Sequence, residues 1–189
     1  NMMELEKPTL PSFGVVASIS SVANEQMHYC ERAGYAMVKV PVAQLMTGTA
    51  RPEEYRDMAG EYLKSGRDTI LLTDTAYDRE LIELSQEVGE KSGMDLTEVG
   101  DYVRSLIGRM AKEVLDSVKV SGVYLTGGDT ALGMLMNIGA DGSEILAEIL
   151  VGVPLVRVKG GAYEGLKLVT KAGAFGTEDA AAFAMRKIK

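Results

Sequence analysis

Three short turns carry the residues whose types and spacing could do chemistry: Ser18 to Ser21, Gly127 to Thr130 and Lys171 to Gly176. Each follows a stretch with strand character and precedes one with helical character. In an open α/β sheet the ligand rim lies at the carboxyl ends of the strands, where helix starts aim unpaired amides at an anion. Glycine permits positive φ and lets the backbone approach phosphate oxygens closely, as in nest-type anion sites. On this reading the hydroxyls of Ser18, Ser20 and Thr130, the backbone of Gly127, Gly128, Gly173 and Gly176, and the cation of Lys171 would surround a polyphosphate, and Asp129 could hold a Mg²⁺ bridging its oxygens. Charge-assisted bonds of this kind are worth about 1.5–3 kcal/mol each, so a handful supports micromolar nucleotide binding after ordering costs.

Each feature also has a plainer reading. Strand-to-helix turns use glycine for chain reversal whatever the function, and Lys171 could be a solvated surface lysine. Glu178 and Asp179 complement a helix macrodipole as readily as they hold a metal. Neither a Walker A loop nor G-x-G-x-x-G occurs. His28 and Cys30 share a helix, but the chain has 1 His and 1 Cys, so a zinc site cannot be completed from these types and helix packing accounts for them. Met134 and Met136 read as gap-filling residues of a buried helix.

The elements that must position these turns follow from periodicity. Phe13 to Ile19, Tyr35 to Val40, Asp68 to Asp74 and Ser121 to Thr126 read as strands. Val22 to Ala33, Arg51 to Ser65 and Asp78 to Glu90 read as helices. Asp95-Leu-Thr-Glu98 has capping-box spacing and opens a helix whose stripe of Leu96, Val99, Val103, Leu106, Ile107, Met110, Val114 and Leu115 should face the sheet. A further helix runs through Leu132, Leu135, Met136 and Ile138. Gly152 to Val158 and Leu166 to Thr170 lack an intervening helix and predict an antiparallel pair. A last helix of Glu178 to Lys187 follows, with Thr177 as N-cap. The expected fold is α/β: a three-layer sandwich with a mostly parallel sheet and an antiparallel C-terminal strand pair.

Residues 1–12 contain Pro8 and Pro11 without apolar periodicity and read as a linker or cloning remnant, leaving 13–189 as one nucleotide-binding domain. Hydrophobic residues at 46% and charged residues at 25% exclude disorder and collagen-like repetition. The longest apolar runs fall short of the roughly 18 residues that a membrane span needs, and with one unpaired cysteine a reducing cytoplasm is the expectation. A net charge of −7 without a basic cluster argues against nucleic acid as partner, so any anionic ligand must be held locally.

Taken together and in order, Ala17-Ser-Ile-Ser20, Thr126-Gly-Gly-Asp-Thr130, Pro154 within Gly-Val-Pro-Leu, and Lys171-Ala-Gly-Ala-Phe-Gly176 before Glu178-Asp179 resemble the C-terminal nucleotide-binding domain of the four-carbon acid sugar kinases, which include threonate and erythronate kinases. The likeness spans Phe13 to Lys187. It implies ATP contacts at the serines of the first turn, at Gly127 to Thr130 and at Gly173, with Gln26 on the helix behind them. The family's first turn has glycine where this chain has Ala17, and proline and threonine where it has Ser21 and Ala23.

The resemblance further implies transfer of the γ-phosphoryl of ATP, with Mg²⁺, to a hydroxyl of a small sugar acid. The substrate domain, in cis or in trans, is missing from this chain, which should bind ATP or ADP without turnover. A homodimer is left open. A phosphofructokinase-like or NAD-kinase-like Gly-Gly-Asp site fits less well, because Thr130 follows Asp129 directly. A non-catalytic nucleotide- or partner-binding module is the other class to separate.

Overall fold

The computed structural model describes residues 9–126, 133, 134 and 137–189. In chain order the elements are β1 (Phe13–Val16), α1 (Ser21–Arg32), β2 (Ala36–Val40), α2 (Val42–Thr47), α3 (Pro52–Lys64), β3 (Thr69–Thr73), α4 (Asp74–Tyr77), α5 (Leu81–Lys91), α6 (Leu96–Ser117), β4 (Val123–Thr126), β5 (Gly142–Leu150), β6 (Val153–Lys159), β7 (Lys167–Lys171) and α7 (Ala180–Lys187). The strands form one sheet in the order β2-β3-β1-β4-β7-β6-β5. From β2 to β7 neighbours run parallel, while β7-β6 and β6-β5 are antiparallel.

The central parallel strands are largely apolar, with β1 (Phe-Gly-Val-Val) and the middle of β3 (Ile-Leu-Leu) buried on both faces. Phe13, Val15, Val38, Leu71, Val123, Leu125 and Leu168 point into a core closed by α3 and α6, joined by Met134 and Ile138. Val16, Ile70, Leu72, Tyr124 and Val169 point the other way, into a core closed by α1 and α7. The expected alternation of layers is present, and the antiparallel pair is β6 and β7.

Several elements differ from the sequence reading. The short helices α2 and α4 are too brief to show a period. β5 carries an irregular pattern, Gly-Ser-Glu-Ile-Leu-Ala-Glu-Ile-Leu, with register shifts between Ile145 and Ala147 and between Glu148 and Leu150, so its two faces do not alternate cleanly. The last helix begins at Ala180 with Asp179 at the N-cap position, and Thr177 Oγ1 donates to Asp179 Oδ1 at 2.5 Å instead of capping. Pro11 and Ser12, assigned to the linker by sequence, are buried. The Pro11 carbonyl accepts from Ser121 N at 2.9 Å, and that of Ser12 from Thr69 N at 3.1 Å.

Candidate functional site

The crossover from β1 runs through α1 on one face of the sheet toward β2. The chain after β4 lies on the opposite face, where Met134 and Ile138 are buried. The strand order therefore reverses between β1 and β4, and at such a switch point the diverging connections leave a crevice outside the carboxyl ends. In register Val15 pairs with Leu125, and Thr126 with Lys171, so β1, β4 and β7 end on one rim.

Two of the three candidate turns meet there. Ser20 is the N-cap of α1: its hydroxyl accepts from Ala23 N at 3.0 Å and donates to the Gly173 carbonyl at 2.8 Å, joining residues 153 apart in sequence. Ser18 Oγ donates to Ser20 Oγ at 3.2 Å and accepts from Ser20 N at 3.3 Å. Gly173 packs so closely on this turn that a Cβ there would lie 2.1 Å from Ser18 Oγ. The requirement for glycine at this position is thus steric, since a side chain would displace the serine turn. Arg79 braces the same turn from outside by donating to the Ile19 carbonyl at 2.6 Å.

The second turn is fastened from two sides. Gln26, buried on α1, donates through Nε2 to the carbonyls of Phe175 and Thr177, both at 3.0 Å. Lys171 does not extend into solvent. It is 2% exposed, and Nζ donates to the carbonyls of Ala172 and Phe175, both at 2.6 Å. Burial pulls its pKa down from the usual lysine value to about 8. Gly176 completes the turn at φ +94°, a left-handed conformation that favours glycine. Gly127, Gly128, Asp129 and Thr130 lie outside the described residues; Thr126, immediately before them, ends β4 on this rim.

Beside the Ser18 turn opens a cavity of about 450 Å³. Ala17, Ser18, Thr75 and Thr126 form its floor at the strand ends, and Ile82, Ser85, Val99 and Val103 of α5 and α6 form its wall. The hydroxyls of Ser85 and Thr126 are buried without a hydrogen-bond partner among the described residues. Ile19 and Leu96 stand at the cavity 54% and 67% exposed, an unusual position for aliphatic side chains unless something covers them. Helix α6 is amphipathic as expected, with Asp95 Oδ1 accepting from Glu98 N at 2.8 Å, but its stripe divides. Leu106, Ile107, Met110, Val114 and Leu115 are buried in the core, whereas Leu96, Val99 and Val103 overhang the strand ends and line the cavity. Sequence reasoning missed this cavity because a helical period shows which residues share a face, not where the sheet beneath them stops.

His28 stacks on Tyr77 with ring centroids 4.0 Å apart, and Cys30 is buried in the α1/α7 core. Among the described residues no three His, Cys, Asp or Glu side chains converge as a metal site.

The model of the nucleotide-binding C-terminal domain matches residues 13–181. The chain belongs to this family. It is 28% identical over 177 residues to the D-threonate kinase of Salmonella typhimurium, covering 92% of this chain and 41% of that protein. To the D-threonate kinase of Bordetella bronchiseptica it is 31% identical over 175 residues, covering 89% and 38%. A solved Bordetella bronchiseptica structure, a domain-swapped dimer with bound citrate, superposes with a TM-score of 0.75 at 28% identity over 96% of this chain and 42% of its own. The domain thus corresponds to the C-terminal part of the four-carbon acid sugar kinases, as its motifs led one to expect. The chain spans about two fifths of the length of the curated relatives it matches.

Proposed function

We propose that this domain holds the nucleotide of an ATP-dependent kinase that phosphorylates a hydroxyl of a small, four-carbon sugar acid. The observation that carries this reading is the contact of Gly173 with the Ser18–Ser20 turn at the switch point of the sheet, a seam with no room for a Cβ. Backbone approach to phosphate oxygens calls for such a seam.

The residues present fit a nucleoside polyphosphate. Ser18, Ser20, Gly173 and Gly176 would hold the phosphates, together with Gly127, Gly128 and Thr130. Asp129 would hold Mg²⁺, which when bound neutralises charge on the transferring group. The cavity beside Ser18, lined by aliphatic and polar side chains and with two hydroxyls unpartnered among the described residues, is of a size and polarity to seat the base. The sugar acid and the catalytic base would be supplied by a partner domain, in cis or in trans. A homodimer is a second assembly that the relatives' architecture supports. No helix among the described residues is long and apolar enough to cross a membrane. We further propose a cytoplasmic site for this carbohydrate-metabolic step.

Isothermal calorimetry of the chain with Mg·ATP, Mg·ADP and adenosine tests the reading. The expected result is micromolar to sub-millimolar binding of both nucleotides and much weaker binding of adenosine. No heat with either nucleotide at millimolar concentration would sink it. Turnover of threonate or erythronate is expected only when the chain is joined or mixed with a substrate domain, and its continued absence would favour a non-catalytic module.

A further inference from the structure

Lys171 is a buried ammonium without a carboxylate bonded to it among the described residues. Around it, α1 presents Gln26, while Gly176 packs near its stem, 3.9 Å from Lys171 Cδ to an ideal Cβ on the glycine. Neither is charged. Thr126 of β4 pairs with it across the ladder. Glu178 and Asp179, which follow the turn, are exposed and engage Arg32 at 3.8 Å and Thr177 at 2.5 Å. Among the described residues no ion pair explains why a cation is kept here, and a buried charge without one is costly.

The two carbonyls it binds supply the explanation. In a trans peptide the C=O of one residue and the N–H of the next point in opposite directions. No peptide bond in the described chain is cis. Drawing the Ala172 and Phe175 carbonyls onto Nζ therefore turns the N–H groups of Gly173 and Gly176 away from Nζ. Neither amide donates to any group among the described residues, although Phe175 N, between them, donates to the Ala172 carbonyl at 3.1 Å.

We propose that Lys171 is a positioning residue of the phosphate site: from beneath the turn its ammonium fixes two peptide planes so that the Gly173 and Gly176 amides face a bound polyphosphate, and its charge supports that anion without touching it. The proposal rests on the nucleotide reading above, which already places Gly173 and Gly176 at the phosphates, and adds the group that aims their amides.

The test is the pH dependence of Mg·ATP affinity on the whole chain, with Lys171→Met and Lys171→Arg beside it. The nucleotide's phosphates have a second pKa of about 6 and finish ionising below the window of interest. With the free-state ammonium at about pKa 8, and the bound anion raising that value, wild-type affinity should hold from pH 7 to about 8 and fall above it. A fraction of a proton, approaching one, should be taken up per nucleotide bound near pH 9, read from calorimetry in two buffers of different ionisation enthalpy. Lys171→Met should bind at least about tenfold more weakly at pH 7, with a flat profile and no uptake, and Lys171→Arg should recover part of the loss. In ¹⁵N spectra, Mg·ATP should shift the Gly173 and Gly176 amides of the wild type.

Wild-type binding that is flat from pH 7 to 9.5 without proton uptake overturns the proposal, as do unshifted Gly173 and Gly176 amides. These measurements decide it even if Lys171→Met does not fold. Absence of any Mg·ATP binding at pH 7 is a different result, and removes the nucleotide reading itself.

Discussion

The rim at the ends of β1, β4 and β7 and the outer strand β5 are built on opposite terms. At the rim, polar side chains interlock, two of them buried and one half-buried: half-buried Ser20 reaches Gly173, buried Gln26 reaches Phe175 and Thr177, and buried Lys171 reaches Ala172 and Phe175. On β5, Ile145 is 74% exposed and Leu146 37%, and Val151 just beyond it is 81% exposed. Polar groups are held where precision is required, and apolar ones stand in water where the sheet simply ends. A buried polar group must find its partner, which fixes geometry, whereas an exposed aliphatic side chain fixes nothing until another surface covers it.

The contrast can be broken most sharply at Gly173. Gly173→Val should lower Mg·ATP affinity by a hundredfold or more in calorimetry, because the new side chain displaces the Ser18 turn. Ser18→Gly added to a milder Gly173→Ala should regain part of what Gly173→Ala alone loses, since it removes the hydroxyl that the new methyl group would strike; no recovery would argue that the clash is not the cause. A smaller effect is expected from Val103→Trp, which fills the cavity: about tenfold weaker Mg·ATP with inorganic triphosphate binding unchanged, if the base sits there.

Gln26→Leu should cost about 1–2 kcal/mol in urea denaturation by removing two hydrogen bonds, although the Phe175 carbonyl keeps Lys171 Nζ and the Thr177 carbonyl keeps Ala180 N as donors. Ile145→Lys, on β5, should change stability by no more than about 0.5 kcal/mol and leave nucleotide affinity untouched. Any sizeable effect there would mean that the edge takes part in the site. Smallest of all is the expected reactivity of Cys30. Burial pushes its thiol up to about 12, so the native chain should resist thiol reagents at pH 8 and react once denatured. The stability linked to this raised pKa is present below about pH 9 and is lost as pH rises toward 12.

What was legible in the sequence follows the same divide. The largely apolar central strands and the capped, amphipathic α6 announce themselves because burial on two faces or on one stripe leaves a trace in the sequence. The serine turn and the Lys171–Gly176 turn were visible as residue types, and their contact became visible only in three dimensions. Lys171 could be read as a phosphate ligand or a surface lysine, and its inward course had no local signal, because the carbonyls that receive it belong to a turn whose path depends on Gln26, far earlier in the chain. Strand β5, bulged and exposed, left no clean alternation to read.

The position of β7 between β4 and β6 bears on how the molecule comes into being. A ribosome emits β1 to β4 before β5 and β6, yet β7, which lies beside β4 in the sheet, follows them all. Ser20 must then find a carbonyl 153 positions downstream, a long-range closure of the kind that slows folding. Until that happens a nascent chain has its serine turn without the opposing wall. On the nucleotide reading proposed above, ligand capture therefore waits for β7, and a chain cut short before that strand should not bind nucleotide.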